Sequence, residues 1–95
     1  MMVKGLKLIT GEELLVRWNN DQGDSHKYTF TKPMLLIPKQ VGNQYTIGLI
    51  PWIMSADEHT TFEIGADKVI ALFTPIIEVE QEFLRQTTGI QLVTG

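Results

Sequence analysis

Asp57-Glu58-His59 is the densest run of side chains in this chain able to bind a metal or move a proton. Three adjacent residues on an extended loop point in different directions, so they cannot converge on one ion, and a solvated loop is the simpler reading. His26 has no partner that spacing identifies, and Ser55 lacks both a G-x-S-x-G setting and a positioned base. Glu78, Glu80 and Glu82 read most simply as the wet and N-terminal part of a helix. The absence of cysteine excludes thiol catalysis, disulfides and zinc–thiolate sites. The residue types therefore give no catalytic constellation, no metal site and no cofactor site, and the expectation is a protein that is not an enzyme.

Binding chemistry is better represented. Trp18, Tyr28, Tyr45 and Trp52 could each stack a nucleobase, although aromatics at strand positions more often serve as core or interface anchors. Trp52 follows Pro51 at a strand end and is the aromatic least committed to a core. Charge argues against a broad nucleic-acid surface. The net charge is −3, divided as +2 over residues 1–40 and −5 over residues 41–95. Such a chain repels phosphate weakly overall, so an RNA site would have to be local and assembled from several subunits.

The elements that position these residues are organised around Leu6 to Trp18. Leu6 and Leu8 alternate with Lys7, and Leu14, Val16 and Trp18 alternate with Glu13, Leu15 and Arg17, the period of two of a half-buried strand. Thr10-Gly11-Glu12 is the turn of this hairpin, and Gly11 can reach positive φ without steric cost. Leu15 and Ile9 fall on the opposite face, which predicts strands buried partly on both sides. Asn19–Asp24 is a polar loop rich in turn formers. Lys27–Thr31 alternates again until Lys32-Pro33 interrupts it, and a proline there implies an edge, bend or bulge. Val41–Gln44 is a turn, Tyr45–Ile50 a strand, Ser55–Glu58 a polar excursion, and Thr60–Ile64 a strand with Phe62 and Ile64 inward. After the turn at Gly65–Lys68, Val69–Phe73 is apolar on both faces, which predicts cover on both sides. Thr74 and Pro75 read as an N-cap followed by proline at the first helical position, and Ile76, Val79, Phe83 and Leu84 make residues 75–87 an amphipathic helix. The tail from Gly89 to Gly95 frays or adds a short strand.

Ninety-five residues with an apolar fraction of 43% make one domain, small enough that oligomerisation would help it bury surface. No apolar run is long enough to span a bilayer, and no basic segment followed by an apolar core opens the chain. An intracellular protein is the simplest reading.

Leu6-Lys7-Leu8-Ile9-Thr10-Gly11-Glu12-Glu13-Leu14 resembles the start of the first motif of the Sm-like (LSm) family, and Ile64-Gly65-Ala66-Asp67-Lys68-Val69 resembles the second. Together with Lys32-Pro33 and Leu49-Ile50-Pro51-Trp52, the pattern is most similar to the compact Sm-like proteins of tailed bacteriophages, including those of cyanobacteria. The resemblance implies a mainly β fold, a small and strongly bent five-stranded barrel of SH3 type, here with a C-terminal helix. The single domain divides into a barrel over about 3–74, a helix over 75–87 and a tail over 88–95. It also implies a homo-oligomeric ring in which the fourth strand of one subunit pairs with the fifth of the next, through Phe62, Ile64, Val69, Ile70, Leu72 and Phe73. Ring members often bind single-stranded RNA at the pore, which points to the motif-loop positions Lys32, Met34 and Lys68, with Trp52 added as the aromatic able to stack; the bland reading of Lys32 and Lys68 is two solvated loop lysines. Where the family carries an aspartate and an asparagine in its first-motif loop this chain has Lys32-Pro33-Met34, and where it carries Arg-Gly this chain has Gly65-Ala66. Those departures leave open a ring that contacts only protein. By the same resemblance the chain is phage-encoded and acts in the bacterial host cytoplasm, with no membrane partner.

Overall fold

Alternating apolar residues on both sides of Gly11 fold as the hairpin they predict. In the computed structural model, which describes residues 2–88, β1 (Val3–Leu8) pairs antiparallel with β2 (Glu13–Trp18), and Gly11 sits at the tip with φ 93°. The Gly11 amide donates to the Leu8 carbonyl at 2.9 Å and the Leu8 amide to the Glu12 carbonyl at 2.9 Å, which closes the turn. β3 (Lys27–Val41), β4 (Gln44–Pro51), β5 (Thr61–Gly65), a short 3-10 turn at Ala66–Lys68, β6 (Val69–Phe73) and α1 (Ile77–Thr87) complete the chain. The fold is mainly β, one antiparallel sheet in the order β4-β3-β2-β1-β6 with β5 also on β3, and one helix at the C-terminal side.

Six strands replace the five expected, and the sheet is not closed. The reason lies in β3. Its fifteen residues are long enough to take two partners in tandem, Met34–Val41 with β4 and Lys27–Thr31 with β5. Lys32-Pro33 falls between the two registers, where the missing proline N–H makes a break in the ladder inexpensive. Against β2 the same two residues form a bulge: Leu15 pairs with Met34 and Arg17 with Thr31, so Val16 faces both Lys32 and Pro33. Lys32 has φ 56°, and is the one non-glycine residue with positive φ among those described. The interruption read from Pro33 is therefore a bulge in the middle of a strand.

Both faces of the hairpin are buried, as Leu15 implied. On one face Leu6, Leu8, Leu14, Val16 and Phe30 form a core with Trp18, Trp52, Phe62 and Ile64 packed against it. On the other, Val3, Leu15, Met34 and Leu49 are covered by Val79 and Phe83 of α1. Spacing of four residues puts those two side chains on one stripe of the helix. The helix starts later than expected. Ile76, not Thr74, is the N-cap and makes no side-chain cap bond, so Pro75 lies before the helix and is buried. Gly5 is fixed by close approach: a Cβ there would collide with the ring of Phe73, its partner on β6. The tail expectation concerns Gly89–Gly95, outside the described residues.

Phe83 is fully buried in the contact that α1 makes with the sheet together with Val79 and Leu84, so Phe83→Ala is expected to cost about 3–5 kcal/mol in urea unfolding. Ile77→Ala, at a position 62% exposed, should stay within about 0.5 kcal/mol of wild type. Equal small losses from both would show that the helix does not dock as described.

Candidate nucleic-acid and assembly interfaces

The bulge at Lys32-Pro33 turns the chain away from the β2 ladder, and β4 ends at the same place because Pro51 is opposite Met34. The Trp52 amide then donates to the Pro33 carbonyl at 3.0 Å and starts the 52–60 connection to β5. Between this connection, the bulge and the end of α1 lies a cleft of about 340 Å³, lined by Lys32, Met34, Ile53, Met54, Phe62 and Gln86, among others. Lys32 is half-buried and makes no ion pair among the described residues. Met34 is 8% exposed and belongs mainly to the core under α1. Trp52 is half-buried, its ring 6.1 Å from that of Phe62 at 49°, so it backs the cleft through Phe62 rather than standing free as a platform. Of the four residues expected to bind nucleic acid, Lys32 and Met34 thus line one cleft, and Trp52 reaches it only through Phe62.

Lys68 is not with them. It ends the 3-10 turn, its carbonyl accepts the Ile9 amide at 2.9 Å, and its ammonium lies 3.7 Å from Asp67. The turn it closes sits beside the start of β3, where Lys27 pairs with Gly65 and the Ala66 amide donates to the His26 carbonyl at 2.8 Å. Lys32 is five residues further along β3, roughly 16 Å at strand rise. Equating Lys32-Pro33-Met34 with a loop between strands is therefore corrected: the loop that meets the 65–68 turn is 19–26.

That loop is ordered by its own side chains, which a polar run of turn formers does not by itself reveal. Gln22 brackets Thr29, donating to its carbonyl at 3.0 Å and accepting its amide at 2.9 Å. Asn19 Oδ1 accepts the Asp21 amide and Asp24 Oδ1 the His26 amide, both Asx-type turns. The Asn/Asp spacing was the available signal.

The acidic groups behave as spacers and rims. Asp57 Oδ1 accepts the His59 amide at 2.8 Å, Glu58 lies 3.4 Å from exposed His59, and Asp57 and Glu58 both border the cleft that holds Lys32. No group of three metal-ligating side chains occurs among the described residues. Hydrogen bonds from Arg85, with a second contribution from Gln86, hold the Glu82 carboxyl below the usual range, which ties the last turns of α1 together. No helix among the described residues is long and apolar enough to cross a membrane.

The residues expected at an assembly contact divide into two groups. Phe62, Ile64 and Val69 are half-buried and pack on the core within the chain. Phe73 covers Gly5, whereas Ile70 is 64% and Leu72 40% exposed on β6. Within the chain β6 pairs only with β1, and Ile70 and Leu72 leave one of its faces open. β4 likewise has one partner and presents Tyr45, Ile47 and Ile50 to solvent.

Positive φ at Lys32 suits glycine and penalises a β-branched residue. Lys32→Val is expected to be less stable than Lys32→Gly by about 1–2 kcal/mol in chemical denaturation, and equal stability would contradict the left-handed backbone at this bulge. No family model matches the chain, and no curated protein matches it either.

Proposed function

We propose that this chain is an Sm-like protein that assembles into a homo-oligomeric ring and binds single-stranded RNA, as a phage-encoded component of ribonucleoprotein processes in the bacterial cytoplasm. The observation that carries the ring is the pair of unlike open edges. β6 ends the sheet at one side and β4 at the other, each with one partner and each with exposed apolar side chains. Open edges with apolar residues favour pairing with another chain. Because the two edges differ, their pairing is head-to-tail, which closes into a ring when the rotation permits. Taken as one interrupted strand along β3, β4 and β5 leave five strands, in keeping with the motif resemblance at Leu6–Leu14 and Ile64–Val69.

RNA binding is supported by the cleft at the bulge. Lys32 carries a positive charge without an ion-pair partner, Met34 and Phe62 offer apolar contact, and ring symmetry would multiply each cleft. Asp57 and Glu58 on the same rim, Asp67 beside Lys68 and the net charge of −3 favour a second reading, a ring or adaptor that contacts only protein.

Native mass measures the ring directly. The wild type is expected as a defined oligomer at micromolar concentration, and Ile70→Glu as smaller species, because a charge would be buried without a partner. A wild-type monomer, or an unchanged mass for Ile70→Glu and Phe73→Glu, removes β6 as the contact. RNA binding is read by fluorescence anisotropy with oligo-U and oligo-A at low and near-physiological salt. Saturable binding should weaken with salt and fall by about tenfold or more in Lys32→Glu with Lys68→Glu. Absence of binding at low salt leaves the protein-only ring.

A further inference from the structure

Two buried side-chain atoms lack a hydrogen-bond partner among the described residues, Arg17 Nε and Thr29 Oγ1. They are neighbours in register. Arg17 pairs with Thr31 across the β2–β3 ladder and Thr29 lies two residues along β3, so all three share one face of the sheet. Arg17 is half-buried and makes no ion pair and no side-chain hydrogen bond among the described residues. The Nε is enclosed, whereas the terminal NH2 groups are not among the buried atoms and have no partner among the described residues, so an acceptor reaches the guanidinium through them.

Arg17 opens onto a groove of about 470 Å³ lined by Met2, Arg17, Trp18, Asn19, Asn20 and Thr31. Its lining residues carry several donors: the guanidinium, the Thr31 hydroxyl and the side-chain amides of the two asparagines. Asn19 already uses its Oδ1 for the Asp21 amide, which leaves its NH2. No carboxylate lines the groove. The nearest in register is Glu63, opposite Thr29 on β5, and it makes no ion pair with Arg17. A donor-rich groove with one uncompensated positive charge suits a ligand that only accepts. A phosphoryl group brings three strong acceptor oxygens and up to about two negative charges, more than one carboxylate offers to a guanidinium, a hydroxyl and two side-chain amides.

We propose that the groove at Arg17 is a binding site for a phosphoryl group. It shares no lining residue with the Lys32 cleft or with the β6 strand of the ring contact, and it depends on neither. A free phosphorylated small molecule and the backbone of an oligonucleotide carry the same group, and the test separates them.

The full chain, labelled with nitrogen-15, is titrated with inorganic phosphate at constant ionic strength, with chloride and acetate as controls, while the Arg17 Nε–Hε signal and the amides of Asn19, Asn20 and Thr31 are followed. Saturable shifts with phosphate alone are expected, and Arg17→Gln should abolish them. Arg17→Lys keeps the charge without the fork and should bind about tenfold more weakly, which preserves the test if Arg17→Gln fails to fold. Glu63→Gln, which removes the carboxylate opposite Thr29 in register, should tighten binding. Competition by oligo-U assigns the site to a nucleic-acid backbone, and saturation by phosphate without such competition assigns it to a small phosphorylated ligand. Loss of oligonucleotide binding only in the Lys32 and Lys68 variants would leave this site standing by itself. No saturable shift, equal shifts with chloride or acetate, or shifts that persist in Arg17→Gln would overturn the proposal.

Discussion

One backbone constraint, the insertion of a single extra residue into β3 at Lys32-Pro33, shapes most of what this molecule presents to its surroundings. Lys32 adopts φ 56° and Pro33 cannot donate, so neither β4 nor β5 can run past this point in register. The strand that would otherwise lie along the whole of β3 divides, and the 52–60 connection bridges the gap, held back to the bulge by the Trp52 amide on the Pro33 carbonyl. The cleft exists because of that division. A bulge also increases local twist, which lets the two ends of β3 serve different parts of the sheet.

The second organising feature is the two-sided burial of β1 and β2. A half-buried sheet would show strict alternation, and a hairpin buried on both faces departs from it at the residue that faces the cover. Leu15 is that residue, fully buried although it alternates with the core positions Leu14 and Val16. Its cover is α1, whose Val79 and Phe83 meet Leu15, Met34, Leu49 and Val3. The sheet thus spends one face on its own bend and the other on the helix, which leaves its edges as the places where apolar surface is still open.

How much of this could be read from residues follows from which signals are local. The hairpin at Gly11, the two-sided burial of Leu15, the helix stripe and the break at Pro33 all depend on period or on one residue's backbone chemistry, and all are visible in the chain. Pairing partners are not local. Nothing near Lys32 says that β3 continues beyond it, so Lys32-Pro33-Met34 reads as a loop, while the loop that meets the 65–68 turn is 19–26. The Thr74-Pro75 start also misleads, because Pro75 is buried ahead of the helix and Ile76 takes the cap position. Alternation places Arg17 on the same strand face as Glu13 and Leu15, and only the fold shows that its Nε is enclosed without an acceptor.

Charge and edges pull in different directions, and this decides where a polyanion could sit. A chain of net charge −3 has no long-range attraction for phosphate, so affinity must come from groups whose own partners are missing. Lys68 has Asp67 beside it, Lys7 has Glu13 at 3.6 Å and Arg85 is bound to Glu82. Lys32 and Arg17 are half-buried cations without such neighbours, one at the bulge and the other beside it in register on β2. Desolvation makes each a stronger attractor for an anion than an exposed lysine would be, since the solvent that would compensate it is already reduced. The bulge therefore places two of the chain's half-buried, unpaired cations close to the break in the sheet, Lys4 on β1 being a third, and repetition around an assembly would concentrate them without altering the sign of the surface elsewhere.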